Sequence, residues 1–270
     1  MIRALGVYRE NEFSPGKIGA DAAILDAVMA RLAAQGVRSC TVGAADFVRQ
    51  PPAACQLILA MCQSQAALQR LRACQESGAL VINSPAAIRA CYRDRLGEVL
   101  SRAGAPVPPG MLVATADGVD GCIGALDPRA GIYVKRGDLH ALSAEDVRRV
   151  DDTTSLERVL RDFAGRGIRH AYLQAAVEGR VVKFYGVTGT GYFSFAGADA
   201  VSDALAARLG GAAHDAAVAL GLEVWGGDAI VDGPRFKIVD FNDWPSFERV
   251  RDQAAQAIAK RALQLLRSRN

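Results

Sequence analysis

Residues 1–84 alternate short apolar runs with longer segments in which apolar residues recur every three or four positions. The short runs predict buried strands, and the longer period is typical of amphipathic helices. Alternating units of this kind indicate a small parallel sheet with helices on its faces. The predicted strands are residues 5–8, 38–42, 57–61 and 80–83, and the predicted helices are residues 19–35 and 65–76.

The pattern changes after residue 84, where strands come in adjacent pairs between helices. Ser84 and Pro85 are typical of a helix start, with the serine as cap and the proline in the first turn. Two hairpins are predicted, one from residues 171–177 and 181–187 and one within residues 224–243. Such pairs indicate an α+β arrangement rather than a continued parallel sheet. The other predicted elements are strands at 111–114, 132–136 and 192–195 and helices at 93–102, 155–165, 201–220 and 250–267.

The second hairpin carries polar side chains at strand spacing. Side chains alternate along a strand, so Asp240 and Asn242 point the same way while Val239 and Phe241 point into the core. The hairpin also brings Asp228 near Asp240. Oxygen donors fixed on rigid strands suit Mg²⁺, which usually shares its shell with substrate phosphates. The alternative is that Asp240 and Asn242 only cap the turn that follows, by bonding to nearby backbone amides.

Outside the second hairpin, two of the predicted strands carry a lysine. Lys135 comes at the end of an apolar strand before the polar residues 137–143, so it can reach a phosphate while this loop folds over as a lid. Lys183 places a second cation on the strand expected to pair with residues 171–177, which could offer backbone groups to a flat heterocycle. Seen alone, a lysine at a strand end is more often a solvated edge residue.

The composition is that of an ordinary globular protein. The chain has 270 residues, half of them apolar and 23% charged, which suggests two or three subdomains sharing one cleft. A net charge of +3 without a run of Lys and Arg argues against nucleic-acid binding. No apolar stretch approaches the ~20 residues needed to span a bilayer, and the first strand starts too close to Met1 for a signal peptide. We therefore expect no membrane partner and a cytoplasmic protein.

Cysteine and histidine do not suggest a metal centre. The cysteines form no C-x-x-C pair and are expected to be reduced and mostly buried, and the histidines are scattered and few. The cysteines are Cys40, Cys55, Cys62, Cys74, Cys91 and Cys122, and the histidines are His140, His170 and His214.

These features occur in a fixed order along the chain. A strand ending in Lys135 and its lid come first, then the strand with Leu173-Gln174, the strand with Lys183, Asp228, and last the Asp-x-Asn motif with its proline turn at residues 240–245. This order resembles the ATP-grasp superfamily, particularly the branch of ribosomal-protein glutamate ligases and related carboxylate–amine ligases. The resemblance covers most of the chain: residues 81–88 are similar to the linker into that fold, residues 105–108 to the segment before its first ATP-binding strand, and residues 240–245 to its metal motif. It implies an α+β ATP-grasp fold with an N-terminal α/β, Rossmann-like domain. The implied divisions are an N-terminal domain at residues 1–84, a lid-bearing lobe at 85–173 and a metal-binding lobe at 174–270.

The resemblance also implies roles toward ATP and Mg²⁺. Lys135 is implied to hold the α- and β-phosphates, and Lys183 to lie near the γ-phosphate or the acceptor. One or two Mg²⁺ ions, with Mn²⁺ as an alternative, are implied to be held by Asp228, Asp240 and Asn242. The adenosine is implied to lie between Gln174 and Val177, read by backbone groups of Ala175 and Ala176, with Glu178 at the ribose.

Three positions depart from the family pattern. Arg95 stands where the family usually has a lysine that binds the nucleotide and spreads the charge of the transferring phosphoryl group. The change keeps the charge but replaces a point charge by a planar fork. Ala175 replaces the acid that usually follows the glutamine, and Asp240 replaces the more frequent glutamate, which shortens its reach by one methylene.

The implied activity is ATP-dependent ligation of a small-molecule or peptide carboxylate to an amine through an acyl phosphate, with ADP and phosphate as products. One alternative is a small-molecule kinase, since inositol-polyphosphate kinases of this fold resemble residues 240–247 about as well and His140 is similar to a histidine in their lid. Another is a nucleotide-binding module that has lost turnover. Assembly into a homo-oligomer is left open.

Residues 14–19 lie between a predicted strand and a predicted helix. They do not form a Walker A loop, because the glycine spacing is wrong and neither Ser nor Thr follows Lys17. The segment can still line an acceptor site at the strand's carboxyl end. Arg9 and Lys17 could then neutralise an acidic acceptor; the alternative is an ordinary surface loop.

Overall fold

The computed structural model describes residues 2–50, 54–119, 126–139, 141–196 and 201–269. These residues form three four-stranded sheets with helices packed against them. Cys122 and His140 lie outside the described residues. No helix within the described ranges is both long enough and apolar enough to cross a membrane.

The first sheet is parallel, with the strand order β2-β1-β3-β4. Its strands are β1 (Arg3–Val7), β2 (Arg38–Val42), β3 (Leu57–Ala60) and β4 (Leu80–Ile82), and its helices are α1 (Ile18–Ala34), α2 (Ala44–Arg49) and α3 (Gln65–Glu76). Ser84 caps the following α4 (Pro85–Ala90) by accepting a hydrogen bond from the N–H of Ala87, as its place before Pro85 predicts. The predicted parallel sheet is confirmed.

The second sheet is antiparallel, with the order β5-β8-β6-β7. Its strands are β5 (Gly110–Ala114), β6 (Ile132–Arg136), β7 (Val147–Val150) and β8 (His170–Ala175), and the helices of this part of the chain are α5 (Arg93–Arg102) and α6 (Thr153–Gly165). The sequence prediction misses β7, because its Val-Arg-Arg-Val segment is short and half charged.

The third sheet is also antiparallel, with the order β10-β9-β11-β12. Its strands are β9 (Arg180–Val187), β10 (Tyr192–Ala196), β11 (Val224–Asp232) and β12 (Arg235–Asp243), and its helices are α7 (Asp203–Leu220) and α8 (Arg251–Arg267). The predicted hairpin of β11 and β12 is confirmed.

The predicted hairpin between residues 171–177 and 181–187 is wrong. β8 pairs with β5 and β6, whereas β9 pairs with β10 and β11. The short connection between β8 and β9 therefore passes from one sheet to another, and Gln174 and Lys183 lie in different sheets. Apolar alternation identifies a strand, but its partners depend on packing against distant segments.

Buried side chains hold the first and third sheets together. One apolar cluster joins α1 and the first sheet to α8, and it includes Trp244 and Phe247 from the segment after β12. Asn83, which is fully buried after β4, accepts hydrogen bonds from the N–H groups of Glu223 and Val224 at 2.8 and 2.9 Å. Its amide nitrogen donates to the carbonyl of Val224 at 2.7 Å. The first sheet is thereby fixed to β11, while the domain boundaries at 84 and 173 stay predictions.

The described cysteines are free thiols. Cys62 and Cys91 are buried as expected, whereas Cys40 is exposed. Burial raises the pKa of the Cys62 and Cys91 thiols well above the ordinary value, so both remain protonated and inert at neutral pH.

Candidate active site

A cation and two carboxylates lie in one row across the third sheet. Lys183 on β9 is directly opposite Asp228 on β11, and Asp228 is directly opposite Asp240 on β12. Residues that face each other on neighbouring strands project from the same side of a sheet. Lys183 Nζ donates to Asp228 Oδ1 at 2.9 Å. Asn242 lies two residues beyond Asp240 on the same side, so the three predicted metal ligands share one face.

A bulge in β12 determines which of its side chains project from this face. The pairing shifts from Asp228–Asp240 to Ala229–Ile238, which leaves Val239 as the extra residue. Ile238 and Phe241 are fully buried, whereas Val239 is only half-buried and lines a cavity beside the row. The expectation that Val239 points into the core is therefore wrong, because the bulge interrupts the alternation on which it rests.

These side chains line a cleft of about 240 Å³ between the first and third sheets. Its walls come from the loop after β1 and the first turn of α1, the loop after β3, the start of α5, the loop after β6, the third sheet and the segment after β12. Among the residues that line it are Lys17, Arg93, Ala141, Lys183, Asp228, Asp240 and Asn242.

The structure places Arg93, and not Arg95, at this cleft. Arg93 is 6% exposed and its Nη2 lies 3.7 Å from Asp240 Oδ2. Its Nε and Nη1 are buried and find no hydrogen-bond acceptor among the described residues. Arg95 is exposed, because residues two apart in a helix of 3.6 residues per turn lie on opposite faces. A buried guanidinium with open donors suits a phosphate group.

Lys135 and Gln174, on the second sheet, line a smaller cavity that shares Arg93 and Asp240 with the cleft. Both are nearly buried, at 7% and 5% exposed. Lys135 Nζ donates to the carbonyl of Val239 at 2.9 Å, so the bulge residue links the second sheet to the third. The pKa of Lys135 is lowered to about 8, mainly because the side chain is buried; the charge of Asp240 opposes this shift and that of Arg93 adds to it.

Tyr172 fills much of the space beside Lys135. The cavity shared by Lys135, Gln174 and Val239 measures only about 20 Å³, less than a purine ring needs. A Cβ atom on Gly97 of α5 would lie 2.5 Å from the Tyr172 hydroxyl, so this glycine makes room for the tyrosine side chain.

The remaining residues implied to hold adenosine are not brought to this cavity. The N–H of Ala175 donates to Pro109 O at 2.9 Å and that of Ala176 to Gly131 O at 3.0 Å, so both donate to the protein itself. The Glu178 side chain is 91% exposed and lies 3.7 Å from Arg149. Neither these three residues nor Val177 lines the cleft or the smaller cavity.

The oxygen donors of the row fit a magnesium ion that takes part of its shell from phosphate. No group of three or more His, Cys, Asp or Glu side chains within the described ranges could hold a metal by itself. Asp228, Asp240 and Asn242 instead offer two carboxylates and one amide, a small set of hard donors of the kind that Mg²⁺ shares with phosphates and water. The unsatisfied guanidinium of Arg93 marks the place where such a phosphate would lie.

Arg9 connects the first sheet to the turn after β12. Its Nε donates to Met61 O at 3.2 Å, its Nη1 to Asp21 at 3.2 Å, and its Nη2 to Asp243 O and Trp244 O at 3.2 and 2.7 Å. These bonds engage all three nitrogens. Arg9 therefore acts as a structural clamp rather than as a free cation for an acidic acceptor, whereas Lys17 is exposed at the cleft.

The turn after β12 contains strained residues that the sequence does not mark. Trp244 and Phe247 have φ angles of +43° and +49°, in the region that favours glycine, and both are fully buried. Such conformations persist where packing determines them. Here the indole of Trp244 also donates to Ile82 O at 3.2 Å, and the preceding Asp243 accepts from Gln63 at 2.9 Å. The first sheet thus fixes the chain next to Asn242.

No model of a known protein family and no curated protein matches this chain. Solved structures match it along nearly its whole length. D-alanine–D-alanine ligase from Bacillus anthracis complexed with ATP superposes with a TM-score of 0.74 at 10% identity, covering 100% of both chains. A RimK domain protein, ATP-grasp, from Sphaerobacter thermophilus DSM 20745 gives 0.71 at 17% identity, covering 96% of this chain and 99% of that one.

D-cycloserine synthetase DcsG gives a TM-score of 0.66 at 16% identity, covering 97% of this chain and 100% of that one. Likeness at these identities shows the fold. The chain has the ATP-grasp fold, with a parallel sheet ahead of two antiparallel ones, and the predicted α+β class is confirmed.

Proposed function

We propose that this chain is an ATP-dependent carboxylate–amine ligase that joins a small-molecule or peptide acid to an amine. The observation that carries the proposal is the row of Lys183, Asp228 and Asp240 across three strands, with the buried guanidinium of Arg93 beside it. Cations and carboxylates in this arrangement suit a triphosphate held together with Mg²⁺. Two structural neighbours, D-alanine–D-alanine ligase and D-cycloserine synthetase, support a ligase by their names.

In this proposal the protein positions the reactants and offsets their charge. Arg93 takes the part that the sequence assigns to Arg95 and binds the α- and β-phosphates together with Lys135, while Lys183 lies beside the γ-phosphate. Asp228, Asp240 and Asn242 would hold Mg²⁺, which would offset the negative charge of the phosphates. Positioning and electrostatics account for most of the catalysis in phosphoryl transfer.

The reaction has two steps. The substrate carboxylate attacks the γ-phosphorus, and ADP leaves with the electron pair of the broken P–O bond, so an acyl phosphate forms. The amine nitrogen then attacks the acyl carbon, phosphate leaves with the electron pair of the C–O bond, and the nitrogen loses a proton. Neither step needs a side-chain nucleophile.

The fate of the γ-phosphate tests this reaction class. With γ-labelled ATP, Mg²⁺ and pools of acids and amines, a ligase releases the label as free phosphate only when both an acid and an amine are present. Hydroxylamine in place of the amine should trap the acyl group as a hydroxamate. Label kept on an organic product, without hydroxamate, would establish a kinase instead. If the protein binds MgATP but turns it over with none of the acid and amine pools, it is a nucleotide-binding module rather than an enzyme of either class.

A further inference from the structure

A second cavity, of about 860 Å³, adjoins the cleft on the side of the first sheet. It lies at the carboxyl ends of β1 and β2, the edge at which α/β sheets bind ligands. Arg9, Ser14 and Asp21 line both this cavity and the cleft, so the two spaces share one wall. The volume lies within the roughly 300–1,000 Å³ of small-molecule sites and accommodates more than a single small amino acid.

The charged side chains of this cavity are predominantly acidic. Its lining contains Glu10, Glu12 and Asp21 together with Arg9 and Arg49. Arg9 is engaged by Asp21 and three backbone carbonyls, and Arg49 forms an ion pair with Asp46, which lies outside the lining. Arg9 is thus paired with Asp21, and Arg49 with Asp46, so the remaining charge of the lining comes from Glu10 and Glu12 and is negative, which favours a cationic ligand. The Glu10 carboxylate also accepts hydrogen bonds from the N–H groups of Gln63 and Ser64 at 2.9 and 3.0 Å.

Asp21, in the first turn of α1, is 4% exposed, and only one of its two carboxylate oxygens is satisfied. Oδ2 accepts hydrogen bonds from Arg9 at 3.2 Å and from the hydroxyl of Ser14. Oδ1 is buried and finds no donor among the residues that the structure describes. A buried carboxylate oxygen without a donor is unfavourable, and an ammonium group supplies both N–H donors and a positive charge.

We propose that this cavity binds the amine substrate as a cation, with its ammonium group on Asp21 and an apolar body of about dipeptide size beyond it. Ile18, Val48 and several alanines supply the apolar part of the lining. The shared wall places the amine next to the cleft in which the acyl phosphate forms, and the ammonium group passes one proton to the Asp21 carboxylate before its nitrogen attacks. This assignment of the amine rests on the proposed ligase function, and it replaces the acidic acceptor that Arg9 and Lys17 suggest in the sequence.

The test uses three probes of matched size that differ in charge: leucyl-leucinamide as the cation, N-acetyl-leucyl-leucinamide as the neutral form and N-acetyl-leucyl-leucine as the anion. Titration calorimetry at pH 7 should show the cation binding at least about tenfold more tightly than either of the others, the scale of one charge-assisted hydrogen bond. Leucinamide, which fills less of the cavity, should bind more weakly than leucyl-leucinamide. Because binding is measured without turnover, a failed ligase assay and a failed binding test are separate results.

Two substitutions locate the binding. Asp21→Asn should remove the preference for the cation. Glu12→Lys, at an exposed position of the lining, should weaken binding of the cationic probe about fivefold and strengthen binding of the anionic probe. Glu76→Lys, at an exposed position of α3 outside the cavity, is the matched control and should change neither.

The Glu12→Lys result decides the matter if Asp21→Asn fails to fold in a melting experiment. Equal binding of the three probes, a preference for the anion, or a cation preference that Glu12→Lys does not alter would overturn the proposal.

Discussion

Lys183 Nζ lies 2.9 Å from Asp228 Oδ1, while Asp240 faces the same aspartate from the next strand. Asp228 therefore stands between a lysine and a second carboxylate. Burial lowers the pKa of Lys183, but the hydrogen bond and charge of Asp228 outweigh it, so the net shift is upward and the lysine is charged at neutral pH. In the proposed site Asp228 would also be a ligand of Mg²⁺, and the Lys183 ammonium group would then be available to a phosphate.

This arrangement makes Lys183→Met informative, since it removes the charge and keeps most of the side-chain length. We expect kcat to fall by at least about tenfold and the KM for MgATP to change less, because the contact strengthens as the phosphoryl group moves. Steady-state kinetics with ADP release as the readout measures both. Lys260→Met, at an exposed position of α8, is the control. An unchanged kcat would exclude Lys183 from the chemistry.

The metal donors should be essential for turnover. Asn242→Ala removes one of three protein oxygens from an ion that otherwise holds only water and phosphate, and we expect ADP formation to fall by at least roughly a hundredfold. Asp240→Ala should do the same, but it also removes the ion-pair partner of Arg93 and so affects folding. Asp232→Ala, on the same hairpin with a side chain 57% exposed, should retain full activity. A normal ADP-formation rate for Asn242→Ala would show that the metal assignment is wrong.

The pattern of apolar and polar residues predicts most of the helices and strands of this fold, because each has a clear periodicity and recognisable residues at its ends. Helix α1 and the β11–β12 hairpin lie within a residue or two of their predicted bounds. Strand partners are different: β8 and β9 are close in sequence and strongly patterned, yet they belong to different sheets. Pairing depends on packing between distant segments, which a single sequence does not display.

At the site, the sequence predicts that the second hairpin brings Asp228 near Asp240. It misses the place of Lys183 opposite Asp228, because it pairs the strand of Lys183 with residues 171–177. It does not predict the bulge at Val239, since nothing in that segment marks an extra residue. The sequence also assigns the phosphate contact to Arg95 rather than to Arg93, because alignment with the family pattern does not show which face of α5 is buried. The sequence does not identify Asp21 as a candidate site residue, because its position between the cleft and the second cavity is set by the tertiary structure.

Arg93 and Arg95 form a natural matched pair for mutation. Arg93→Ala removes a buried guanidinium with open donors beside Asp240, and we expect the Kd for MgATP to rise by at least about tenfold, as for a lost charged hydrogen bond. Arg95→Ala, two residues along the same helix but exposed, should change it less than twofold. Calorimetric titration with MgATP measures both variants. The opposite ranking would restore the assignment made from the sequence.

The loop after β6 depends on one buried carboxylate. Asp146 is fully buried and accepts hydrogen bonds from the N–H groups of Leu142 and Ser143 and from Arg136 and Arg166. Asp146→Ala would leave two guanidinium groups without this partner, and we expect the free energy of unfolding to fall by about 3 kcal/mol.

Chymotrypsin should then cleave after Leu142 faster than in the wild-type protein, and MgATP should slow this cleavage if residues 137–143 act as a lid. The control is the adjacent Glu145→Ala, whose side chain is 66% exposed and pairs with Arg148; it should change stability by less than about 1 kcal/mol. Equal chymotrypsin rates in the two variants would mean that Asp146 does not anchor the loop.

The lowered pKa of Lys135 gives nucleotide binding a defined pH dependence. The buried ammonium has a pKa of about 8 against 10.5 in the unfolded chain, so the folded protein loses its proton first as pH rises. A bound phosphate favours the charged form, and the Kd for MgATP should therefore rise by up to about tenfold per pH unit above pH 8. Lys135→Met should bind more weakly at pH 7 and show a flat profile over the same window.

The same difference predicts an effect of opposite sign on the stability of the nucleotide-free protein. Between pH 8 and 10.5 the unfolded chain binds the proton of Lys135 and the folded chain does not, so the stability of the wild type rises with pH relative to Lys135→Met. The full change is on the order of 3 kcal/mol, because each unit of pKa difference corresponds to about 1.4 kcal/mol. Urea unfolding of both proteins at pH 7, 8, 9 and 10 measures it. Parallel stability curves would show that Lys135 titrates alike in both states, and the pH dependence of nucleotide binding would then need another source.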